Sequence, residues 1–329
     1  EYGEAIKRSL RIMVDYSYVY EKPQSGPGTF AGKRRCLLCN EKGKLGASGV
    51  GLVSLVKYYE LTKDRSLLPA TLEILRHVDS QILPNGEFQG YYIHPGYNDG
   101  EPLDVLSDEV RREIFSFYYP GEALLGMALC LTVLDLEPPE KEYLRSRILL
   151  ALDYLLEKRP VEYAHMFAAL PSDAWLVQAI EVLITRAGIR TDAAVEFVKS
   201  ESMALCRQMY RKDNAPWPDY VGGFFYKHGE PVYVDGARME GLVSALRVAR
   251  FLRDRPWMDA LRGPAEAGAR ALLLLFNTPR HGYCFPRPGH GYATWRLKFT
   301  RHWTRIDNSA HCYCALIGAL DLGLVPGSA

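Results

Sequence analysis

The feature of the sequence that most limits its fold is a set of long apolar runs, each of which follows a short polar opening. The run from Tyr118 to Val133, YYPGEALLGMALCLTV, has no charged residue between Glu122 and Asp135. A helix that is apolar on every side is buried on every side. The same pattern predicts buried helices near residues 50–61, 122–134, 173–186, 237–252 and 308–322.

Between the apolar runs lie stretches that predict amphipathic helices. In Ser66–Ile82, for example, Leu67, Leu75 and Val78 recur at helical spacing among charged residues. One amphipathic helix and one buried helix repeat every roughly 50 to 75 residues. Alternating outer and inner helices of this kind close into a toroid whose inner helices run parallel. The sequence therefore predicts an all-α, (α/α)6-type toroid in a single domain over residues 1–329, with no multi-stranded sheet.

The number of predicted helix pairs is about five, one fewer than in a closed ring of six. The chain also begins on an outer helix. We therefore expect either that one N-terminal hairpin lies upstream of Glu1, or that the ring is five-membered or open.

The composition argues against several classes of function. The formal net charge of +1 gives no indication of binding to nucleic acid or to an acidic membrane surface. No apolar run reaches the roughly 18 residues that a membrane-spanning helix needs. The seven cysteines are an odd number, and most lie in apolar helices. Cys130, Cys206, Cys312 and Cys314 are therefore predicted to be free thiols, which favours a cytoplasmic location.

Two cysteine pairs raise the question of a metal or redox site. Cys36 and Cys39 have the spacing of half a zinc site or of a redox pair. The second half of a zinc site would have to come from Cys312 and Cys314, which cannot both face one way on a helix. Dinucleotide-binding, P-loop and nucleophile-elbow motifs do not occur, nor do the aspartate-rich runs of terpene cyclases. We therefore expect no metal and no cofactor.

Three features of the sequence resemble a known group of proteins. They are the helix alternation, the Gly-Phe turns, and the openings YYPGEA, from Tyr118, and RIDNSAH, from Arg305. The chain is similar in these respects to the six-hairpin glycosidase-like toroids, which include glycoside hydrolases, unsaturated-uronide hydrolases, polysaccharide lyases and sugar epimerases. The resemblance covers nearly the whole chain and implies a carbohydrate-active enzyme that binds a saccharide or another small polar ligand. It transfers no catalytic residue, because fold does not fix chemistry.

Parallel inner helices place their polar openings at one end of a toroid, and we expect the functional site there. Carboxyl groups can serve as acid and base or nucleophile, and aromatic rings stack on the apolar faces of sugars. Arginines bind hydroxyls or a uronate carboxylate through paired hydrogen bonds. The predicted site residues are Tyr118, Tyr119, Glu122, Asp173, Trp175, Asp235, Arg238, Glu240, Arg305, Asp307 and His311.

Within this set, Asp307 and Asp173 are the favoured acid–base pair, and Glu122 is a third catalytic candidate. Asp307 lies beside Arg305 and close to His311 in sequence, which could hold its carboxylate ionised. The apolar side chain of Trp175 could raise the pKa of Asp173 and keep it protonated. The other residues of the set are predicted to bind the substrate.

Structural interpretations of the same residues stay open. Asp173 and Asp235 stand where a helix cap would, and capping alone explains each of them. Glu122 is a first-turn acid, which the helix dipole favours without any substrate. Asp307 could belong to a structural ion network, and His311 could be a buried histidine whose hydrogen bonds are satisfied.

The functional interpretations therefore belong to different classes. A glycoside hydrolase with paired carboxylates is the first. A non-catalytic toroid that binds a glycan or a protein is the second, because it needs only the aromatic and arginine side chains. A sugar epimerase or a polysaccharide lyase is a further alternative, since both occur in the group that the chain resembles.

Overall fold

The computed structural model of the chain describes residues 2–21, 32–39, 42–93, 107–167, 173–284, 287–298 and 301–325. These parts of the chain are mostly helical and contain little sheet, which confirms the predicted helical class. Contacts divide the chain into two compact units. Unit 1 comprises Glu1–Leu170 with Val182–Ile189, and unit 2 comprises Pro171–Glu181 with Arg190–Ala329. The toroid and the single domain stay predictions.

Unit 1 consists mainly of helices and has a small sheet near its start. A π-helical stretch, Tyr154–Lys158, joins the sixth helix to the seventh. The described helices are α1 (Tyr2–Asp15), α2 (Leu45–Thr62), α3 (Leu68–Ser80), α4 (Asp108–Glu113), α5 (Tyr119–Val133), α6 (Pro138–Asp153), α7 (Arg159–Glu162) and α8 (Ala164–Phe167). The next helix, α9 (Ala174–Thr185), begins in unit 2 and ends in unit 1.

The sheet of unit 1 corrects the expectation that no multi-stranded sheet forms. Four antiparallel strands pair in the order β1 (Ser17–Tyr20), β2 (Arg34–Cys39), β3 (Lys42–Lys44) and β4 (Tyr91–Ile93). Each strand has only three to six residues. Runs this short do not give a readable alternation of apolar and polar residues, so the pattern did not indicate strands.

The core of unit 1 is built on two parallel apolar helices, α2 and α5. The first turn of α2 contacts the first turn of α5, because a Cβ added to Gly49 would lie 2.6 Å from the backbone nitrogen of Ala123. One turn further along, a Cβ added to Gly126 would lie 2.9 Å from both the Gly49 carbonyl oxygen and the Leu52 Cβ. The helices therefore run in the same direction with almost no space between their backbones.

Unit 2 repeats this arrangement with α11 and α14. Its helices are α10 (Asp192–Arg207), α11 (Gly236–Leu252), α12 (Arg255–Leu274), α13 (Pro288–Gly291) and α14 (Ile306–Asp321). A Cβ added to Gly236 would lie 2.4 Å from the Cys312 backbone nitrogen, and one added to Gly318 would lie 2.7 Å from Val243 Cγ1. Contacts that advance together along both helices show that α11 and α14 are parallel.

A two-stranded hairpin contacts the residues before α11 and leads into α14. Its strands are β5 (Arg296–Lys298) and β6 (Arg301–Thr304), and β6 ends directly before α14. The Val234 N–H, just before α11, donates to the Leu297 carbonyl oxygen at 2.9 Å. Because one hairpin contacts the entry to α11 and leads into α14, the N-terminal parts of these helices are held together.

The burial of α14 differs from the sequence prediction. The helices α5 and α11 are buried around almost their whole circumference, as predicted. In α14, however, Ile306 is 90% exposed and Ile317 is 58% exposed, and Tyr313 and Leu320 are also exposed. The prediction that α14 is buried on every side is therefore wrong. The helix α14 carries more polar residues than α5, and its covered sides face α11 and α12.

The described cysteines are free, as predicted for four of them. Cys130, Cys206, Cys312 and Cys314 are free thiols, and Cys36 on β2 is a fifth. The side chain of Cys39 lies outside the described residues. Within the described parts of the chain, no helix combines the length and the hydropathy that crossing a bilayer requires.

A buried histidine in unit 1 gives a prediction about acid stability. His77 on α3 is fully buried, and its Nδ1 forms a hydrogen bond with the Tyr20 hydroxyl at 2.8 Å. Burial, and to a smaller extent the charge of Arg34, lower the pKa of His77 to about 3. Between pH 6.5 and about pH 3, His77 binds a proton in the unfolded chain but not in the folded chain. The free energy of unfolding should therefore fall as the pH falls through this range.

The measurement is urea denaturation at several pH values between 7 and 4. We expect His77 to contribute up to about 1.4 kcal/mol of lost stability per pH unit. The His77→Asn variant keeps an oxygen that can accept from Tyr20 but does not titrate, so its profile should be flatter than that of the wild type. Parallel profiles for the two proteins would show that His77 is not the group responsible.

Candidate functional site

The candidate site lies in unit 2, where the first two turns of α11 and α14 pack together. Glu240, in the second turn of α11, is 9% exposed and points at α14. Its Oε2 lies 2.6 Å from Nδ1 of His311, which is only partly exposed. These two residues are 71 positions apart in the sequence. The contact is a short hydrogen bond between a carboxylate and an imidazole, and it fixes which ring nitrogen faces Glu240.

The surroundings shift the pKa values of both partners. Burial lowers the pKa of His311, but the hydrogen bond and charge of Glu240 outweigh it, with smaller contributions from Asp235 and Asp307. The pKa of His311 is therefore above its usual range. Burial raises the pKa of Glu240, and the hydrogen bond and charge of His311 offset this only in part. The pair is therefore a candidate for holding and transferring a proton.

The second ring nitrogen of His311 faces away from Glu240. Among the described residues, no hydrogen bond to Nε2 of His311 is present. The ring of Trp175, at the start of α9, meets the imidazole edge to face, with centroids 5.3 Å apart and an interplanar angle of 69°. Trp175 is half-buried and thus offers an aromatic wall beside the free side of the imidazole. A carboxylate-oriented histidine with one open nitrogen is the arrangement of a general base.

Asp235 and Arg238 lie next to this pair and bind each other. Asp235 caps α11, because its Oδ1 accepts from the Arg238 N–H at 3.0 Å. Its Oδ2 lies 3.3 Å from Nε of Arg238, and burial raises the pKa of Asp235. The Arg238 guanidinium stacks 4.3 Å from the centroid of the Tyr226 ring and is buried. The arginine therefore pairs with Asp235 and stacks on Tyr226. The predicted role of Asp235 and Arg238 in substrate binding stays a prediction.

Asp173 caps the start of α9 as Asp235 caps the start of α11. It is 1% exposed, and its Oδ1 accepts from the Leu176 N–H at 3.1 Å. Its own N–H donates to Glu201 at 3.0 Å. These bonds are those of a helix cap, which is one of the two interpretations that the sequence left open. Its proposed part in an acid–base pair stays a prediction.

Asp307 and Arg305 form an exposed ion pair at the start of α14. Nε of Arg305 lies 3.0 Å from Oδ1 of Asp307, and Nη2 lies 2.5 Å from Oδ2. Burial opposes ionisation of Asp307, but Arg305 and the Asn308 N–H outweigh it, so the pKa of Asp307 is lowered. A lowered pKa suits an ionised acid in the first turn of the helix, where the helix dipole favours a negative charge. Asp307 also contributes to the raised pKa of His311, so it lies within electrostatic reach of the pair.

Three predicted site residues, Tyr118, Tyr119 and Glu122, belong to unit 1. They lie at the start of α5, where Tyr119 contacts Tyr91 edge to face with centroids 5.9 Å apart. A Cβ added to Gly46 would lie 2.0 Å from Oε2 of Glu122, so this carboxylate rests against the first turn of α2. The dipole at the N-terminus of α2 favours an acid there. That these residues share one cavity with those of unit 2 stays a prediction.

Cys314 is a member of the site that sequence reasoning did not include. It lies three residues after His311 on α14, and the charge of Glu240 adds to the effect of burial in raising the pKa of its thiol. The spacing from His311 was the available signal, because residues three apart share a helix face. Within the described residues, His, Cys, Asp and Glu side chains do not form a group that could hold a metal ion.

Comparisons of the chain with protein-family models, with curated proteins and with solved structures gave no match.

Proposed function

We propose that the protein is a carbohydrate-active enzyme in which His311, oriented by Glu240, transfers a proton to or from the substrate. The observation that carries the proposal is the 2.6 Å contact between Glu240 Oε2 and His311 Nδ1. Glu240 raises the basicity of the ring, and Nε2 is left to meet a substrate. General acid–base catalysis of this kind contributes about 10²- to 10⁴-fold to a rate.

The contacts of the other carboxylates favour a sugar epimerase or a polysaccharide lyase over a hydrolase. A glycoside hydrolase needs two carboxyl groups that flank the glycosidic bond. In unit 2, Asp173 and Asp235 cap helices, and Asp307 is paired with Arg305. A lyase or an epimerase instead needs a base that removes a proton from carbon, and a histidine with a raised pKa suits that task.

The proposed substrate is a saccharide because of the likeness to the six-hairpin toroids. The parallel buried helices in each unit support a toroid of alternating inner and outer helices as the finer architecture. Trp175 supports a sugar ligand, since its ring lies beside His311 and aromatic faces stack on pyranoses. The five free thiols support the proposed cytoplasmic location.

A panel of oligosaccharides and uronate-containing polysaccharides tests the proposal. Three readouts distinguish the reactions: ultraviolet absorbance of an unsaturated uronate for a lyase, deuterium incorporation from D₂O at a ring carbon for an epimerase, and new reducing ends without unsaturation for a hydrolase. We expect one of the first two signals. Hydrolysis alone would favour the paired carboxylates, and binding without any turnover would favour a glycan-binding protein.

A further inference from the structure

A stripe of exposed side chains, nearly all of them apolar and large, runs along the whole length of α14. Its members are separated by alternating steps of four and three residues, and all of them are exposed: Ile306, Ala310, Tyr313, Ile317 and Leu320. At about 100° per residue, these five positions fall within roughly 80° of one another around the helix axis. Buried residues of α14, such as Ala315, lie on the opposite side. The five residues are called the α14 stripe below.

The spacing of the α14 stripe is that of a coiled-coil seam. Apolar residues that alternate three and four positions apart form the face that one helix presents to another in a coiled coil. The exposed fractions of the stripe correspond to on the order of 500 Å² of surface, near the upper end of the largest apolar patches on monomeric proteins, which are often functional. The stripe is therefore suited to contact a second helix with the same repeat.

We propose that the α14 stripe is the interface of a homodimer, in which the α14 helices of two copies pack antiparallel around a two-fold axis. The contact uses the exposed face of α14 and requires no saccharide. The inference therefore goes beyond the proposed function and can be tested without turnover.

The stripe is complementary to itself in the antiparallel orientation. A two-fold axis at the level of residues 311 and 312 places each member of the stripe opposite an apolar residue of the second copy. Ile306 then lies opposite Ile317 of the second copy, and Ala310 lies opposite Tyr313 of the second copy. A small side chain thus faces a large one, as close packing of two helices requires. Trp303, which is 66% exposed just before α14, comes to the level of Leu320 of the second copy.

The charges at the two ends of α14 agree with this orientation. Arg305 at the start and Asp321 at the end are both exposed. An antiparallel pair brings Arg305 of one copy to within about one helical turn of Asp321 of the other. Asp307 comes near the same Asp321, but each acid is already paired with an arginine of its own chain, Asp307 with Arg305 and Asp321 with Arg247.

The area and the charge favour a second copy over a membrane surface. A standard interface buries about 800 Å² on each partner, and the stripe together with Trp303 and the charged residues at its ends offers an area of that order. A helix that binds an anionic membrane surface carries lysine or arginine on its polar face. The helix α14 contains two aspartates and no lysine or arginine.

The test is sedimentation velocity of the full chain between about 1 and 100 μM, for the wild type, Ile317→Glu and Ile12→Glu. Ile317 is 58% exposed in the middle of the stripe, and Ile12 on α1 is the matched control, because it is a helical isoleucine that is 52% exposed. We expect a wild-type dimer that Ile317→Glu weakens by about 100-fold or more, since the interface would bury two carboxylates. Ile12→Glu should stay dimeric.

Cross-linking tests the orientation in a Cys314→Ser background. The double variant Ile306→Cys with Ile317→Cys should form a disulfide-linked dimer. Ile306→Cys alone should not, because the two Ile306 positions lie about 16 Å apart along the antiparallel helices.

The outcomes of these two experiments decide the proposal. A wild type that is monomeric at 100 μM would overturn it, as would an Ile317→Glu variant that dimerises like the wild type. Efficient cross-linking of Ile306→Cys alone would overturn the antiparallel orientation. A dimer that dissociates in Ile317→Glu but not in Ile12→Glu supports the interface even if no saccharide is turned over. In that case the proposed function fails and the dimer stands.

Discussion

Replacing His311 with asparagine is expected to lower kcat/KM by about 10³-fold on the saccharide that the wild type turns over. The side-chain amide of asparagine can still donate to Glu240, as Nδ1–H does, so the local packing is kept. The variant lacks the second nitrogen that meets the substrate. The loss should therefore appear in kcat rather than in the free energy of unfolding.

The matched control for this prediction is Asp307→Asn. Asp307 lies two residues after Arg305, in the same polar opening of α14 as His311. It was the first catalytic candidate from the sequence. Its carboxylate is bound by Arg305 and is exposed, so we expect kcat/KM to stay within about threefold of the wild type. If Asp307→Asn abolishes turnover and His311→Asn does not, the carboxylate interpretation is right and the histidine interpretation is wrong.

Replacing Gly49 with alanine is expected to destabilise unit 1 by about 3 kcal/mol or more. The new Cβ would lie 2.6 Å from the Ala123 nitrogen, 2.7 Å from the Glu122 carbonyl carbon and 2.8 Å from the Ala123 Cα. All three atoms belong to the backbone of α5, so no side chain can rotate away. The two helices would have to separate, which loses packing along their whole contact.

Urea denaturation measures this effect, and Gly263→Ala is its control. Gly263 lies in α12 with nothing within 4 Å of an added Cβ, and alanine there should raise stability by up to about 1 kcal/mol through helix propensity. Gly236→Ala is the counterpart of Gly49→Ala in unit 2, since its Cβ would lie 2.4 Å from the Cys312 nitrogen. Wild-type stability for Gly49→Ala would contradict the close parallel packing of α2 and α5.

The sequence predicted the helices well because long uncharged runs have few other solutions. The five apolar helices all form, although α2 begins at Leu45, earlier than the predicted residue 50. The sequence could not predict that α14 is covered on one side only. Composition shows which residues favour burial. Whether they are buried depends on which other helices pack against them, and the composition does not show that. The four-stranded sheet was missed because its strands are too short to show a period.

The residues of the candidate site could be predicted from the sequence, but the contacts between them could not. Glu240 and His311 were both among the predicted residues, but as substrate-binding groups. Their contact depends on the register between α11 and α14, which is set by the close approach at Gly236. A sequence does not show this register. It also could not separate capping from catalysis, because an aspartate at a helix start is suited to either role.

The central claim is that Glu240 and His311 act as one unit, and a double-variant comparison of kcat/KM tests it most directly. We expect Glu240→Gln to lower kcat/KM by about 10²-fold and His311→Asn by about 10³-fold. Because Glu240 acts only through His311, the double variant should be no slower than His311→Asn alone. A double variant whose loss equals the product of the two single losses would contradict the claim, since the two residues would then act independently.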